Sequence, residues 1–425
     1  MAKQRFRAIE GTRDYFDKDG NRFDKTVTFA SEHFVKYGYS RIRTPIFETT
    51  DLFARSIGAA TDIVEKEMYT FKPGSDTITL RPEGTAGIVR SYLQHNLDKQ
   101  GGLVKFWYEG AMFRRERPQK GRQRQFHQVG AEAIGSADPL LDAEVVVMGL
   151  EYYKYLGLNQ VQLRLNSIGC QKPECRPLFR QLLRDAIRPN LDKYCKSCQA
   201  RFDRNVLRII DCKSPHCREL SKNLPKSYEN LCPECADHFE KTREALEALG
   251  GAYELDHTLV RGLDYYTKTV FEYTHGALGA QSAIGGGGRY DGLVEELGGP
   301  SIPGIGFALG IERILIAMEA EDACACGYPL QVYGVTQGES AHRAMSGMIA
   351  RLRAAGLAAD MDYEGRSMKA QMRTANRRQA MCCLILGDEE LSNGVITIKN
   401  MMDDAGGQET VSIFDCLERV RATLP

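Results

Sequence analysis

Residues 104–134 read VKFWYEGAMFRRERPQKGRQRQFHQVGAEAI, and the fold turns on how this stretch is read. Val104 to Phe113 and Phe126 to Ile134 have the aromatic and β-branched content of strands, joined by a long, very basic loop. On a strand, a period of two sets Gln128, Gly130 and Glu132 on one face and Val129, Ala131 and Ala133 on the other. The apolar set suits a core. The polar set offers an amide and a carboxylate flanking a bare glycine, a floor with room for a ligand. The alternative is a sheet with one solvated face.

From Arg114 to Arg124, six cations stand against one acid. Such a run is ordinarily solvated surface. Between two strands that suit a ligand floor, it points to phosphate or nucleic-acid contact. Arg114, at a strand end, can hold a phosphate by two parallel hydrogen bonds.

The 425 residues suggest two or three domains. Lys plus Arg and Asp plus Glu balance at 56 each, so any nucleic-acid binding must be local. The opening MAKQRFRAIEGTRDYF is polar, and apolar runs such as Ala143 to Leu150 fall far short of a membrane span. A cytoplasmic protein without a secretory signal is expected. In that setting the 13 cysteines suit thiols or metal ligands better than disulfides.

A helical stretch, Phe23 to Tyr37, stops at Gly38, and Tyr39 to Pro45 is extended. Asp138 can cap a further helix, with Pro139 in its first turn and Gly157 at its end. Residues 170 to 240 hold eight of the 13 cysteines among many charges, and an inserted subdomain at about 172–250 is expected. Residues 321–329, with Cys324 and Cys326, read as a linker. Beyond it strands and helices alternate, which argues a small α/β domain at 330–425 with a largely parallel sheet.

Residues 259–273, LVRGLDYYTKTVFEY, end as a fair strand but set Arg261 beside Gly262, a residue that permits close approach, and then Tyr265 and Tyr266. Arg81-Pro82-Glu83-Gly84-Thr85 is a polar turn before a helix, and Gly285 to Gly292 reads as a turn. No GxxxxGK[ST] occurs, which excludes a P-loop. Gly304 to Gly310 leads into a helix with Arg313 in its first turn, where a cation opposes the helix dipole and suits an anion partner.

Together these stretches resemble histidyl-tRNA synthetase, a class II aminoacyl-tRNA synthetase, nearly end to end. Tyr39 to Phe47 is similar to the first class II motif, which in the family builds the dimer interface. Phe113 through Gly135 resembles the second motif and Gly304 to Arg313 the third. Leu259 to Tyr266 and Gly287-Gly288-Arg289-Tyr290-Asp291 resemble stretches specific to the histidine enzyme. The resemblance implies an α+β fold: a catalytic core on an antiparallel sheet flanked by helices (1–325), the insertion, and a C-terminal anticodon-binding domain (330–425).

It further implies that L-histidine and ATP, with Mg²⁺, form histidyl-adenylate, from which histidine passes to the terminal adenosine of tRNA(His). Glu83, Thr85 and Gln128 would hold the α-amino group, and Glu132 and Tyr266 would read the imidazole. Tyr265 and Tyr290 would line the pocket. Arg261 would face the point where carboxylate and α-phosphate meet. ATP would rest on Arg114, Arg313 and Arg122. Gln119, Arg124, Arg366 and Lys369 would meet tRNA, and the enzyme would be a homodimer.

Cys195-Lys-Ser-Cys198 and Cys232-Pro-Glu-Cys235 could together offer four thiolates to a tetrahedral zinc ion. The gap between them is long, and Cys212, His216 and Cys217 lie within it as rival ligands. Cys170 and Cys175 are expected where the insertion joins the core. Metal-free thiols are the alternative.

Overall fold

The computed structural model describes residues 6–58, 61–212, 214–323, 330–402 and 407–424. Cys324 and Cys326 of the expected linker lie outside them. The chain forms two compact units, Met1–Ala325 and Cys326–Pro425. No helix among the described residues is long and apolar enough to cross a membrane.

The first unit is built on an eight-stranded sheet. Its strands are β1 (Ser40–Arg41), β2 (Val104–Phe113), β3 (Gln125–Ile134), β4 (Gln162–Ser167), β5 (Glu254–Leu255), β6 (Thr267–Thr274), β7 (Ala283–Arg289) and β8 (Gly304–Gly310). The order across the sheet is β1-β2-β3-β8-β7-β6-β4-β5. Every central pairing is antiparallel, while β1 and β5 join the two edges in parallel.

Register sets the two faces. Trp107, Ala131, Phe307, Gly287 and Phe271 share a cross-strand row. This row is buried in one core with residues of the helices Asp17–Lys36, Pro139–Tyr155 and Ile311–Ala320. Each large side chain buried there contributes about 1.5–3 kcal/mol. The opposite face carries the rows Tyr108–Gly130–Ala308–Gly286–Glu272 and Phe106–Glu132–Gly306–Gly288–Val270. The face expected of Gln128, Gly130 and Glu132 is therefore the one away from that core.

Asp138 caps its helix as expected, its Oδ1 accepting from Leu140 N at 2.9 Å, and Gly157 ends it with φ +83°. The first helix begins at Asp17, earlier than the sequence suggests, with Asp17 and Asp19 in its first turn favouring the dipole. A larger departure is β7. The glycine run expected as a turn is a central strand, because its neighbours press where side chains would stand. A Cβ on Gly287 would lie 2.0 Å from Gly306 O, and one on Gly286 2.6 Å from Phe271 O.

The strand ends on a buried ion pair. Arg289 Nε donates to Asp142 Oδ1 at 3.0 Å, and Nη1 donates to Ser136 O at 2.9 Å and Asp291 Oδ1 at 3.1 Å. These bonds fix Tyr290, the next residue, under the glycine-rich face.

The insertion has its own small core, including Phe179, Leu183, Ile187 and Phe202. Its last helix, Pro233–Ala248, packs on Pro139–Tyr155 of the catalytic unit. That docking corrects the expected cysteine quartet. Cys232 and Cys235, at the start of the docked helix, meet Cys170 and Cys175 beyond the end of β4. Cys195 and Cys198 remain in the insertion's core and meet Cys212 and Cys217. His216 bonds Lys193 O at 3.1 Å instead.

In the second unit the strands Ala359–Met361, Val332–Gln337 and Cys382–Gly387 are parallel neighbours. Val395–Asn400 and Gln408–Ser412 then add an antiparallel pair, so the sheet is mixed rather than largely parallel. Past Gly387 the chain runs through a short helix, Asp388–Ser392, and a left-handed Gly394 (φ +68°), which returns it antiparallel.

Candidate active site

A cavity of about 860 Å³ opens over the glycine-rich face, within the size range of small-molecule sites. The sheet supplies Gln128, Glu272, Gly286 and Ala308 to its wall. The insertion supplies Arg208, Cys212, Arg218 and Lys222. Nothing in the sequence pointed these insertion residues to the cavity, since only tertiary docking brings them to the sheet.

The turn before the helix Thr85–Gln94 is held by Glu83, whose carboxylate accepts from Thr85 N at 2.7 Å and Ala86 N at 2.9 Å. Burial raises the Glu83 carboxyl above its usual range, and the two N–H donors oppose that shift. Thr85 Oγ1 donates to Glu132 Oε1 at 2.7 Å, and Tyr290 OH donates to Glu132 Oε2 at 2.7 Å. Glu132 is 1 % exposed. Burial pushes its carboxyl up to about 8, against the pull of those two hydroxyls, with Glu83 adding to the rise.

Tyr265 and Tyr266 pack with ring centroids 4.7 Å apart, and Tyr290 meets Tyr265 edge-on at 5.9 Å. Tyr265, Tyr266, Glu83, Thr85 and Gln128 all line the cavity. The buried Oε1 of Gln128 has no hydrogen-bond partner among the described residues. Glu132 and Tyr290 do not reach the cavity wall; they lie behind Thr85.

The open floor expected beside Gly130 is filled. Tyr108 lies over it, 2.4 Å from where a Cβ on Gly130 would stand and equally close to one on Gly84. Gly262 also departs from expectation, since a Cβ there would meet nothing nearer than Arg208 at 3.9 Å. The close approach next to Arg261 is instead at Gly286, whose Cβ would sit 2.8 Å from Arg261 Nη1.

Arg261 Nη1 donates to Glu272 Oε2 at 3.0 Å, while its buried Nε has no partner among the described residues. Arg114 stacks over Phe126 at 5.2 Å and donates from Nε to Pro82 O at 2.9 Å. Arg122 pairs with Glu116 at 2.9 Å. Arg313 donates to Gly121 O at 2.9 Å and Ala283 O at 2.6 Å. Burial, then the neighbouring Arg122, lowers the Arg313 pKa, so an anion there relieves both costs. All four arginines line the cavity.

The expected RNA contacts lie elsewhere. Gln119 is exposed at the tip of the basic hairpin, where it bridges Arg122 through the backbone. Arg124 is turned inward, donating to Glu10 O at 3.2 Å, and its side chain lies against Gly11. Arg366 is tied to the buried Asp362, with its backbone N donating at 3.0 Å, while Lys369 is exposed.

Four residues to which the sequence reading gave no site role shape the site: Tyr108, Glu272, Arg289 and Arg176. Arg176 is buried and donates to Tyr266 O at 2.7 Å. Arg289 adjoins Tyr290, which is the signal that could have found it.

A family model described as histidyl-tRNA synthetase matches residues 11–314, and one described as an anticodon binding domain matches residues 331–423. The histidine–tRNA ligase of Moorella thermoacetica is 51% identical over 415 residues, 97% of each chain. That of Halothermothrix orenii is 48% identical, covering 98% of this chain and 99% of its own. Among solved structures, apo histidyl-tRNA synthetase of S. aureus superposes with a TM-score of 0.79 at 37% identity, covering 98% of this chain and 100% of its own. An ATP phosphoribosyltransferase regulatory subunit/histidyl-tRNA synthetase from Bacillus halodurans shares the fold, with a TM-score of 0.66 at 20% identity over 91% of this chain and 99% of its own. With a family model matched over most of its length and relatives near half identity end to end, this chain belongs to the histidyl-tRNA synthetase family.

Proposed function

We propose that the cavity activates L-histidine with ATP and that the protein then charges tRNA(His). The observation that carries this reading is one cavity that sets Arg114, Arg122, Arg261 and Arg313 opposite Thr85, whose hydroxyl the buried Glu132 and Tyr290 brace from behind. The α-amino group meets Glu83, Thr85 and the unpartnered Gln128 Oε1. Tyr265 and Tyr266 flank the imidazole, and Glu132 with Tyr290 acts on histidine from behind, by fixing the Thr85 hydroxyl that meets the α-amino group. A site built around such hydrogen bonds rejects ligands that leave its polar groups unpaired.

The histidine carboxylate attacks the α-phosphorus beside Arg261, giving histidyl-adenylate and pyrophosphate. Arg114, Arg122 and Arg313 exchange carbonyl and carboxylate partners for phosphate oxygens, which are better matched to a guanidinium fork. Glu116 and Glu272 face the cavity and offer the hard oxygen donors that suit Mg²⁺, which neutralises phosphate charge when bound. A ribose hydroxyl of the terminal adenosine then takes the histidyl group and releases AMP. No covalent enzyme intermediate is required, so the protein's part is alignment and charge stabilisation.

Gln119 on the hairpin and Lys369, with Arg366 beside it, are assigned to tRNA; Arg124 supports the hairpin from within. The 1–325 and 330–425 segments act as catalytic and anticodon-binding domains. A homodimer forms through the first motif, where Ile46 and Phe47 are 48% and 56% exposed and offer apolar surface. Exchange of labelled pyrophosphate into ATP tests the reading: it is expected with histidine and absent with proline or threonine.

A further inference from the structure

We propose that the chain binds two zinc ions, one in each of two separate four-cysteine cages. The first cage is Cys170, Cys175, Cys232 and Cys235, and the second is Cys195, Cys198, Cys212 and Cys217. Within each, the four sulfurs lie within 4.8 Å of one another, with three of the four residues buried.

The spacing separates zinc from a disulfide and from an iron–sulfur cluster. Zinc–sulfur bonds of about 2.3 Å in a tetrahedron place the sulfurs about 3.8 Å apart. Cys170 Sγ and Cys232 Sγ are 3.9 Å apart, as are Cys195 Sγ and Cys212 Sγ. A disulfide needs about 2.0 Å. An iron–sulfur cluster carries its thiolates on separate irons and needs a wider cage.

The backbone is arranged around sulfur acceptors in both cages. Cys175 Sγ accepts from Cys170 N at 3.4 Å and Cys232 N at 3.5 Å, and Cys217 Sγ accepts from Cys195 N at 3.3 Å. Such N–H donors orient ligands and spread the charge of a metal-bound thiolate. Gly169, at φ +67°, leaves the space that a side chain would take from the first cage, since a Cβ there would lie 2.5 Å from Cys175 Sγ. Four thiolates complete a tetrahedron, so both ions are structural, with no open position for chemistry.

The two ions hold different joints. The first cage fastens the docked helix Pro233–Ala248 to the end of β4. It adjoins Arg176, which donates to Ile168 O at 3.0 Å, Gly169 O at 2.8 Å and Tyr266 O at 2.7 Å. The second staples the small insertion core and carries Cys212 on the cavity wall. The ions' bearing on histidine, unlike their presence, rests on the proposed function.

Metal analysis of the full-length protein, purified without chelator, is expected to give close to two zinc ions per chain. Cys235→Ser and Cys198→Ser are each expected to retain close to one. Negligible zinc, iron in its place, or one ion lost through only one of the two variants overturns the proposal. Should either variant fail to fold, wild-type protein produced with cobalt(II) in place of zinc supplies the answer. Tetrahedral thiolate–cobalt bands are expected to saturate at two equivalents; saturation at one, or an octahedral spectrum, overturns it. Two zinc ions in a protein without histidine-dependent exchange would leave the cages standing and remove the reading of the cavity.

Discussion

Glu132 and Arg122 belong to the same site but stand in opposite states. Glu132 is 1 % exposed, with both oxygens occupied by Thr85 and Tyr290. The Arg122 side chain is 40% exposed and paired with Glu116. The buried cluster is complete before any ligand arrives, because an unpaired buried polar group would cost about 1–3 kcal/mol. The arginines rest on partners that a phosphate can displace. On the proposed reading, selectivity for the amino acid is part of the folded core, whereas the phosphate site finishes assembling on binding.

The sharpest way to break this contrast is Arg261, which lies 5.9 Å from the Tyr266 ring centroid and lines the same cavity as Arg122. Arg261→Ala is expected to lower adenylate formation by on the order of a hundredfold or more, with fold and tRNA binding retained. Single-turnover rates, circular dichroism and a tRNA binding assay check it; a loss of fold equal to the loss of rate would make the residue structural. Next, Glu132→Ala leaves the Thr85 and Tyr290 hydroxyls without their acceptor. The histidine KM is expected to rise roughly tenfold or more, with the ATP KM little changed, as a buried acceptor worth about 1–3 kcal/mol implies. Equal rises in both KM values would deny any division between the regions. Smaller still is Arg122→Ala, expected to raise the ATP KM several-fold and to leave thermal stability unchanged, since exposed ion pairs contribute about 0–1 kcal/mol. A marked drop in Tm would count against the open state assigned to Arg122.

Acidity sharpens the comparison further. The Glu132 carboxyl is raised from 4.5 to about 8 in the folded protein, so folding strengthens its hold on a proton. Its contribution to stability is therefore full below the unfolded value of about 4.5 and lost as pH rises to about 8. Without histidine, the Tm of wild type relative to Glu132→Gln is expected to fall as pH rises from about 5 to about 8. A difference that holds steady or grows across that range would contradict the buried, proton-holding state.

The strand pair around the basic loop was legible because alternation and charge are written in side chains. Gly285 to Gly288 was not, since glycine carries no pattern and this strand exists only through what presses on it. The same limit applied to Gly130: sequence shows a missing side chain, not that Tyr108 fills the gap. Cys-x-x-Cys spacing identified the knuckles Cys195–Cys198 and Cys232–Cys235 but not their partners, which depend on where the helix Pro233–Ala248 docks. Arg176 and Arg208 are two arginines among many until the fold sets one on Tyr266 O and the other on the cavity wall. Local chemistry could be read, and long-range juxtaposition could not.

The central claim is that this cavity couples histidine to ATP. The most direct measurement is amino-acid-dependent exchange of labelled pyrophosphate into ATP by the purified full-length protein. Exchange that requires histidine and is negligible with proline or threonine is the predicted result. No exchange with histidine, or equal exchange with proline or threonine, would contradict it.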